Sequence, residues 1–230
     1  MLPEDIISVF NKNHIKNFNY IIHLDNLKSI FQYEIVCRNL LTQYDLIYHD
    51  ISKKKYQKNR SKNFLKFFPN EDIHDYVPLY ISTHTPMIKK LSSPYIKYYA
   101  VLKITNKIFR DLKDERKKNI KISNQNINQT RLNDLQIKNI SDFKNTNEFE
   151  EFLKWDLIAN RNICNNYPDK LYKAAEVLVP GKINQRFITK ICPKTKDIRS
   201  VKNHIKRVLD YKWYEKKEYL LDFNNNEFKV

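Results

Sequence analysis

Apolar positions along the chain fall into two rhythms, one of helices and one of strands. Ile6, Ile7, Val9 and Phe10 predict a short helix over residues 4–13, and Leu27, Ile30 and Phe31 predict another after the cap residues Asp25-Asn26. Between them Tyr20-Ile21-Ile22-His23-Leu24 reads as a strand, and Glu34-Ile35-Val36-Cys37 as a second, shorter one. Val77 to Ser82 is strand-like, Pro86 opens a short helix ending near Ser92, and Tyr95 to Ile104 is a strand rich in Tyr, Ile and Val. A charged helix over residues 107–118 turns Ile108 and Leu112 inward, and the polar run 123–130 reads as a loop. Helical spacing returns from Glu148 to Ile158 through Phe149, Phe152 and Trp155. A strand around Glu176, a strand from Arg186 to Ile191 and a basic helix from Ile198 to Leu209 complete the pattern. No internal repeat or interdomain linker interrupts it, so residues 1–230 are expected to form a single α+β domain.

One position breaks this pattern. Glu176 is a lone acid in the apolar run Ala174-Ala175-Glu176-Val177-Leu178-Val179, which ends at Pro180-Gly181. A fully buried, unpaired carboxylate costs several kcal/mol, so such an acid points into a cleft, meets a partner, or lies on an edge strand facing water. The first two readings make Glu176 a candidate for chemistry.

Composition narrows that chemistry. Lysine and arginine total 42 against 26 acids, a net charge of +16 and a pI near 9.6, which favours nucleic acid or an anionic surface. Gly181 is the only glycine, where average usage of about 7% would give about 16. Walker, Rossmann and kinase glycine loops are therefore excluded, and any nucleotide must be held by side chains. No apolar run reaches membrane-spanning length, the N-terminus lacks signal-peptide order, and Cys37, Cys164 and Cys192 are scattered. A reduced, cytoplasmic protein without a membrane partner is expected.

Three constellations have competing readings. His49-Asp50 and His74-Asp75 resemble the paired ligands of a metal phosphohydrolase, but Pro78 breaks the second and Lys53–Lys55 crowd the first, so no metal is expected. His23, at a strand end before a helix, is either a structural histidine or a donor to a ribose or phosphate. From Lys53 to Phe68, basic residues interleave with aromatics. Lys53, Lys54, Tyr56 and Lys58 then serve single-stranded nucleic acid, or the segment is a solvated loop holding a few core aromatics.

Four segments occur together in a recognisable order: Tyr20 to Leu27, Ile73 to Met87, Leu153 to Ile158 (Leu-Lys-Trp-Asp-Leu-Ile) and Lys173 to Val179. In these the chain resembles the DarT family of DNA ADP-ribosyltransferases, toxins that use NAD to modify bases in single-stranded DNA, over residues 18–195. The resemblance implies an ADP-ribosyltransferase-like split β-sandwich flanked by helices, with NAD as co-substrate. It also implies single-stranded DNA as substrate, a macrodomain-type antitoxin as partner and a role in phage defence. Glu176 would be the catalytic glutamate. Tyr20, Ile22, His23, Asn26 and Leu27 would line the NAD pocket, with Tyr80 and Met87 walling the nicotinamide side. Tyr20 stands where the family's first motif usually begins with histidine. The family's functional arginine falls on Lys53-Lys54-Lys55, so Lys55 replaces it unless Arg60 moves in, and lysine is not equivalent at a bidentate site. Lys55 or Arg60 would hold the NAD pyrophosphate or orient the base, and the loop 123–130 would contact substrate. An RNA ADP-ribosyltransferase and a non-catalytic basic nucleic-acid-binding protein are the alternatives.

Overall fold

Nine strands among the described residues build the frame on which the site sits. The computed structural model describes residues 2–91, 98–111, 116, 118–129, 134–160, 169–194 and 197–224. The strands are β1 (Asn17–His23), β2 (Ile35–Val36), β3 (Tyr76–Tyr80), β4 (Tyr99–Thr105), β5 (Lys121–Ser123), β6 (Ile137–Asn139), β7 (Glu176–Pro180), β8 (Lys182–Ile183) and β9 (Ile188–Pro193). Seven form one sheet in the order β6-β5-β7-β3-β1-β4-β9, and β2 pairs with β8 in a small second sheet. All these pairings are antiparallel.

The large sheet is split. β1 pairs with β4 from Asn17↔Thr105 to His23↔Tyr99, and β3 pairs with β7 from Tyr76↔Pro180 to Tyr80↔Glu176. Between β1 and β3 the register holds only Asn19↔Tyr80. The buried Asn19 side chain staples this junction, its Nδ2 donating to the carbonyls of Tyr80 (3.2 Å) and Ile81 (3.3 Å). Lys103 Nζ donates to its Oδ1 at 2.7 Å. Away from the staple β1 and β3 are not paired, which opens space between adjacent strands.

Helices cover the sheet: α1 (Pro3–Lys12), α2 (Leu27–Tyr33), α3 (Arg38–Gln43), α4 (Lys54–Phe64), α5 (Pro86–Leu91) and α6 (Ile108–Asp111). They are followed by α7 (Thr146–Phe152), α8 (Trp155–Ala159), α9 (Asp169–Tyr172), α10 (Ile198–Leu209) and α11 (Tyr211–Lys217). α1 starts with proline in its first turn and buries the expected Ile6, Ile7, Val9 and Phe10. Phe10 anchors an aromatic cluster with Phe18, Phe109, Phe149 and Trp155 at centroid distances of 5.0–5.8 Å. α10 is capped by Asp197, whose Oδ1 accepts from Ser200 N–H at 3.0 Å. It turns Val201, Ile205 and Leu209 inward at helical spacing and packs on α2.

Several sequence expectations need correction. The basic segment 53–68 is largely a helix, α4, because Lys, Gln and Arg propagate helix well and Phe64 gives it a buried anchor. α3 was not foreseen; its six residues bury no side chain and leave no periodic signal. Ser123 belongs to a strand and not to the polar loop, and the segment 148–158 is two helices broken at Leu153-Lys154. Arg186 lies in a 3-10 turn, Gln185–Phe187, ahead of β9. Ser92, residues 95–97, Leu112, Thr130 and Cys164 lie outside the described residues, whereas Cys37 and Cys192 are buried.

Candidate active site

Glu176 opens β7, directly opposite Tyr80 of β3 on one side and Ser123 of β5 on the other. Its backbone N–H donates to Ser123 Oγ at 3.1 Å, and its side chain has no solvent exposure. The partner that makes this burial tolerable comes from α4. Arg60 Nη1 donates to Oε1 at 2.7 Å and Nη2 to Oε2 at 2.8 Å, a parallel two-pronged pair. Burial opposes the guanidinium charge, but the Glu176 carboxylate outweighs it and raises the Arg60 pKa above its ordinary value. Burial and then the Glu176 charge push the Tyr80 hydroxyl well up, so it stays protonated.

α4 aims Arg60 by simple helical geometry. Tyr56, Arg60 and Phe64 are four residues apart and share one face. Phe64 is fully buried, and Asn63 Nδ2 ties the helix to the carbonyls of Ile127 (2.6 Å) and Gln129 (2.8 Å). Lys54, Lys55, Lys58 and Lys62 are exposed.

Above the pair lies a cavity of about 590 Å³, set where the sheet splits. Tyr20 of β1, Pro78 and Tyr80 of β3, Tyr56 and Arg60 of α4 and Met87 of α5 line it. Cys37, Arg38, Tyr48 and Asp50 add a further wall, and His74 contributes from a 3-10 turn. Burial, reinforced by the neighbouring Tyr48, raises the Tyr20 hydroxyl well above its usual pKa. A volume of this size suits a cofactor or a drug-sized ligand, for which about 300–1,000 Å³ is typical.

Five of the residues singled out in the sequence therefore meet here: Tyr20, Tyr56, Arg60, Tyr80 and Met87 around Glu176. Others are placed elsewhere. Ile22 and Leu27 are fully buried in the main core and line no part of the cavity. Asn26 acts behind the wall: its Nδ2 donates to the His49 carbonyl (3.1 Å) and its Oδ1 accepts from His49 N–H (2.8 Å). His23 also lies behind that wall, its ring stacked on His49 at 4.9 Å. Lys55 makes no contact with Glu176, because it is five residues from Arg60 and so off the inward face of the helix. Lys53 occupies the N-cap of α4. The paired His-Asp steps are not built as metal sites. His49 turns its Nε2 to Asp25 (3.4 Å), Asp50 pairs with Arg38 (2.8 Å), and Asp75 accepts from Asn39 (2.8 Å). Arg38 and Tyr48 of the cavity wall were not foreseen, because they come from a short element and a loop with no periodic signal, and His74 was weighed only as a metal ligand.

The profile of the family "ssDNA thymidine ADP-ribosyltransferase, DarT" matches residues 19–218. The chain belongs to the DarT family. The reaction named for the family is ADP-ribosyl transfer to thymidine of single-stranded DNA. No curated protein matches the chain significantly in sequence. Among solved structures, Thermosipho africanus DarTG in complex with ADP-ribose is similar with a TM-score of 0.69 and 18% identity. That match covers 93% of this chain but only 50% of the other, so the DarT fold described here spans half the length of that relative. Thermus sp. 2.9 DarT in complex with ADP-ribosylated ssDNA gives a TM-score of 0.64 at 17% identity, covering 90% of each chain. The same Thermus protein in complex with NAD+ gives 0.57 at 15% identity, covering 89% of this chain and 90% of that one. At these identities the likeness is one of fold, and it extends to the mixed α+β layout with one large antiparallel sheet flanked by helices. No helix among the described residues is long and apolar enough to cross a membrane.

Proposed function

We propose that this DarT-family chain transfers ADP-ribose from NAD to a thymidine base of single-stranded DNA, with Glu176 as the catalytic residue. The observation that carries the reading is the buried Glu176–Arg60 pair at the cavity in the split of the sheet. The residues around the cavity suit NAD without a glycine loop. Tyr20, Tyr80 and Met87 offer faces to the nicotinamide, and Arg38 and Arg60 supply positive charge for the pyrophosphate.

NAD supplies a ribose whose bond to nicotinamide breaks with its electron pair leaving on the nicotinamide, while positive charge develops on the ribose. The Glu176 carboxylate stabilises that charge by accepting from a ribose hydroxyl, an electrostatic contribution often worth about 3–4 kcal/mol. Each of its oxygens accepts one bond from Arg60 and keeps a lone pair for this. As the base nitrogen bonds to the ribose, its proton passes to Glu176. Arg60 is a positioning residue that fixes the orientation of the acid. A base atom is reachable only when the nucleotide is unpaired or extruded, which favours single strands. Lys53, Lys54, Tyr56 and Lys58 on and before α4 would hold the strand.

An enzyme that marks the DNA of its own cell needs an antidote. We therefore infer a macrodomain-type antitoxin as partner, and phage defence as the setting. Incubating Glu176→Ala and the unaltered protein with labelled NAD and matched DNA and RNA oligonucleotides tests the reading. Transfer to thymidine-containing DNA is expected, abolished in Glu176→Ala with the circular dichroism spectrum unchanged. Transfer that survives Glu176→Ala overturns the catalytic role, labelling of RNA alone favours the RNA reading, and absence of NAD turnover favours a binding protein.

A further inference from the structure

Behind the cavity wall three segments bring a metal-ligand set together. We propose that His23, Asp25 and His49 form a site for one divalent transition-metal ion of the zinc class, which clamps the 45–52 segment to the end of β1. His23 Nδ1 and His49 Nε2 each lie 3.4 Å from the same oxygen, Oδ2 of Asp25. The three ligand atoms are all within 4.8 Å of one another. Around a tetrahedral zinc with bonds of about 2.0–2.1 Å, neighbouring ligand atoms are about 3.3–3.4 Å apart. Two of the three separations already have that value.

The surroundings orient the ligands. The other oxygen of Asp25, Oδ1, is held at 2.6 Å by His204 Nε2. Arg207 Nη2 donates to His204 Nδ1 at 3.0 Å, and because arginine can only donate, Nε2 must carry the proton shared with Asp25. The His204 ring is itself stacked on Tyr98 at 4.0 Å. This is the outer-shell arrangement that fixes a ligating carboxylate, leaving Oδ2 directed at the two imidazoles. His23 Nδ1 accepts from the Asp25 N–H at 3.3 Å, so this nitrogen is unprotonated, and an ion would take over the one lone pair that this long bond uses. The His49 side chain is 55% exposed, which gives an ion an entry path and leaves a fourth position for water.

A bound ion would act on the cavity from behind. His49 lies in the segment that presents Tyr48 and Asp50 to it, and that segment is also tied to the 3-10 turn after β1 through the Asn26–His49 hydrogen bonds. Ligation here would stand whether or not the chain transfers ADP-ribose.

Chelator-stripped protein titrated with Co²⁺ tests the site by visible absorption. One equivalent is expected to produce the intense bands of a tetrahedral centre, displaced by Zn²⁺, and Zn²⁺ is expected to raise the melting temperature. His49→Ala, at an exposed side chain, should keep the fold and weaken Co²⁺ binding by more than about tenfold, since loss of an outer-shell partner alone costs about 10–100-fold. Asp25→Asn should do the same and abolish the zinc-dependent melting shift. Absence of tetrahedral bands in the unaltered protein overturns the site, as does undiminished binding in His49→Ala.

Discussion

Arg60 and Glu176 lie 116 positions apart in the chain and meet as a parallel two-pronged ion pair at 2.7 and 2.8 Å. Glu176 is fully buried and the Arg60 side chain is 12% exposed, so each makes the other's burial tolerable. The pair joins α4 to the sheet, with Arg60 lining the cavity and the carboxylate buried behind it. Structure and proposed chemistry therefore rest on the same two bonds.

Removing one partner should be worse than removing both. Arg60→Ala leaves an uncompensated buried carboxylate and should destabilise the fold by about 3–5 kcal/mol. Adding Glu176→Ala to Arg60→Ala should recover part of that loss, visible as a higher urea midpoint for the double variant. Arg60→Lys keeps the charge but loses the fork, so it should fold better than Arg60→Ala and still transfer ADP-ribose poorly. Equal midpoints for the single and double variants would mean that the pair contributes nothing to holding the acid.

Asn19 offers a test of the split itself. Asn19→Leu removes donors from the Tyr80 and Ile81 carbonyls and an acceptor from Lys103. With two carbonyls left unsatisfied the expected loss is about 2–4 kcal/mol. Because Tyr80 is in register with Glu176, transfer activity should fall further than the folded fraction does, measured at a temperature where the variant is folded. Activity that tracks the folded fraction would show that the staple only stabilises.

The sequence was most readable where one residue contradicted its neighbours. Glu176 in an apolar strand is such a case, and the structure buries it against Arg60, which lines the cavity. Arg60 was harder to see, since a run of lysines drew attention to charge and away from spacing. The signal was nevertheless present: Tyr56, Arg60 and Phe64 repeat every four residues, and Arg60 and Phe64 of that row turn inward. Ile22 and Leu27 fall in a motif near the cavity, yet their side chains point into the core, a distinction that spacing alone does not make. The cluster of His23, Asp25 and His49 was hidden for another reason. Adjacent His-Asp steps suggested local metal pairs, whereas convergence on Asp25 requires a loop to fold back across β1. Strand order was likewise unreadable, because β1 pairs with β4 and β7 lies between β3 and β5.

His74 should leave a mark on the pH dependence of stability. Burial lowers its pKa, the Arg38 and Arg60 charges add to this, and Asp72 offsets it only in part. A histidine depressed in the folded state binds fewer protons there than in the unfolded chain, so stability rises with pH across the window below its ordinary value of about 6.5. The contribution is complete above that value and is lost as pH falls through it. Asp72 is depressed too, but its stabilisation is lost only as pH falls below the ordinary carboxylate range, a separate window. His23, lowered by burial, shares the histidine window, so the diagnostic quantity is a difference. In chelator-treated protein, His74→Gln should show a shallower fall in urea midpoint between pH 7.5 and 5.5 than the unaltered chain. Identical slopes would mean that His74 is not depressed.

The exposed face of α4 should govern how the protein holds a strand. Lys58, Lys62 and Lys66 line one shallow groove with Asn59 and Leu65, and Asn59 immediately precedes Arg60 in the chain. Each lysine that neutralises a phosphate of a single strand releases counterions and contributes about 0.7 to the slope of log affinity against log salt. Replacing all three by glutamine should therefore weaken oligonucleotide binding at low salt and reduce that slope by about 2. The loss should be similar for different sequences, because phosphate contacts carry no base information. Turnover should suffer through KM, with kcat retained at saturating DNA, since the groove lies outside the cavity that holds the reacting groups. Glu176→Gln should show the reverse, with binding and its salt slope kept and kcat lost. An unchanged salt slope in the triple variant would move the strand to another basic face, such as Lys202, Lys206 and Arg207 on α10.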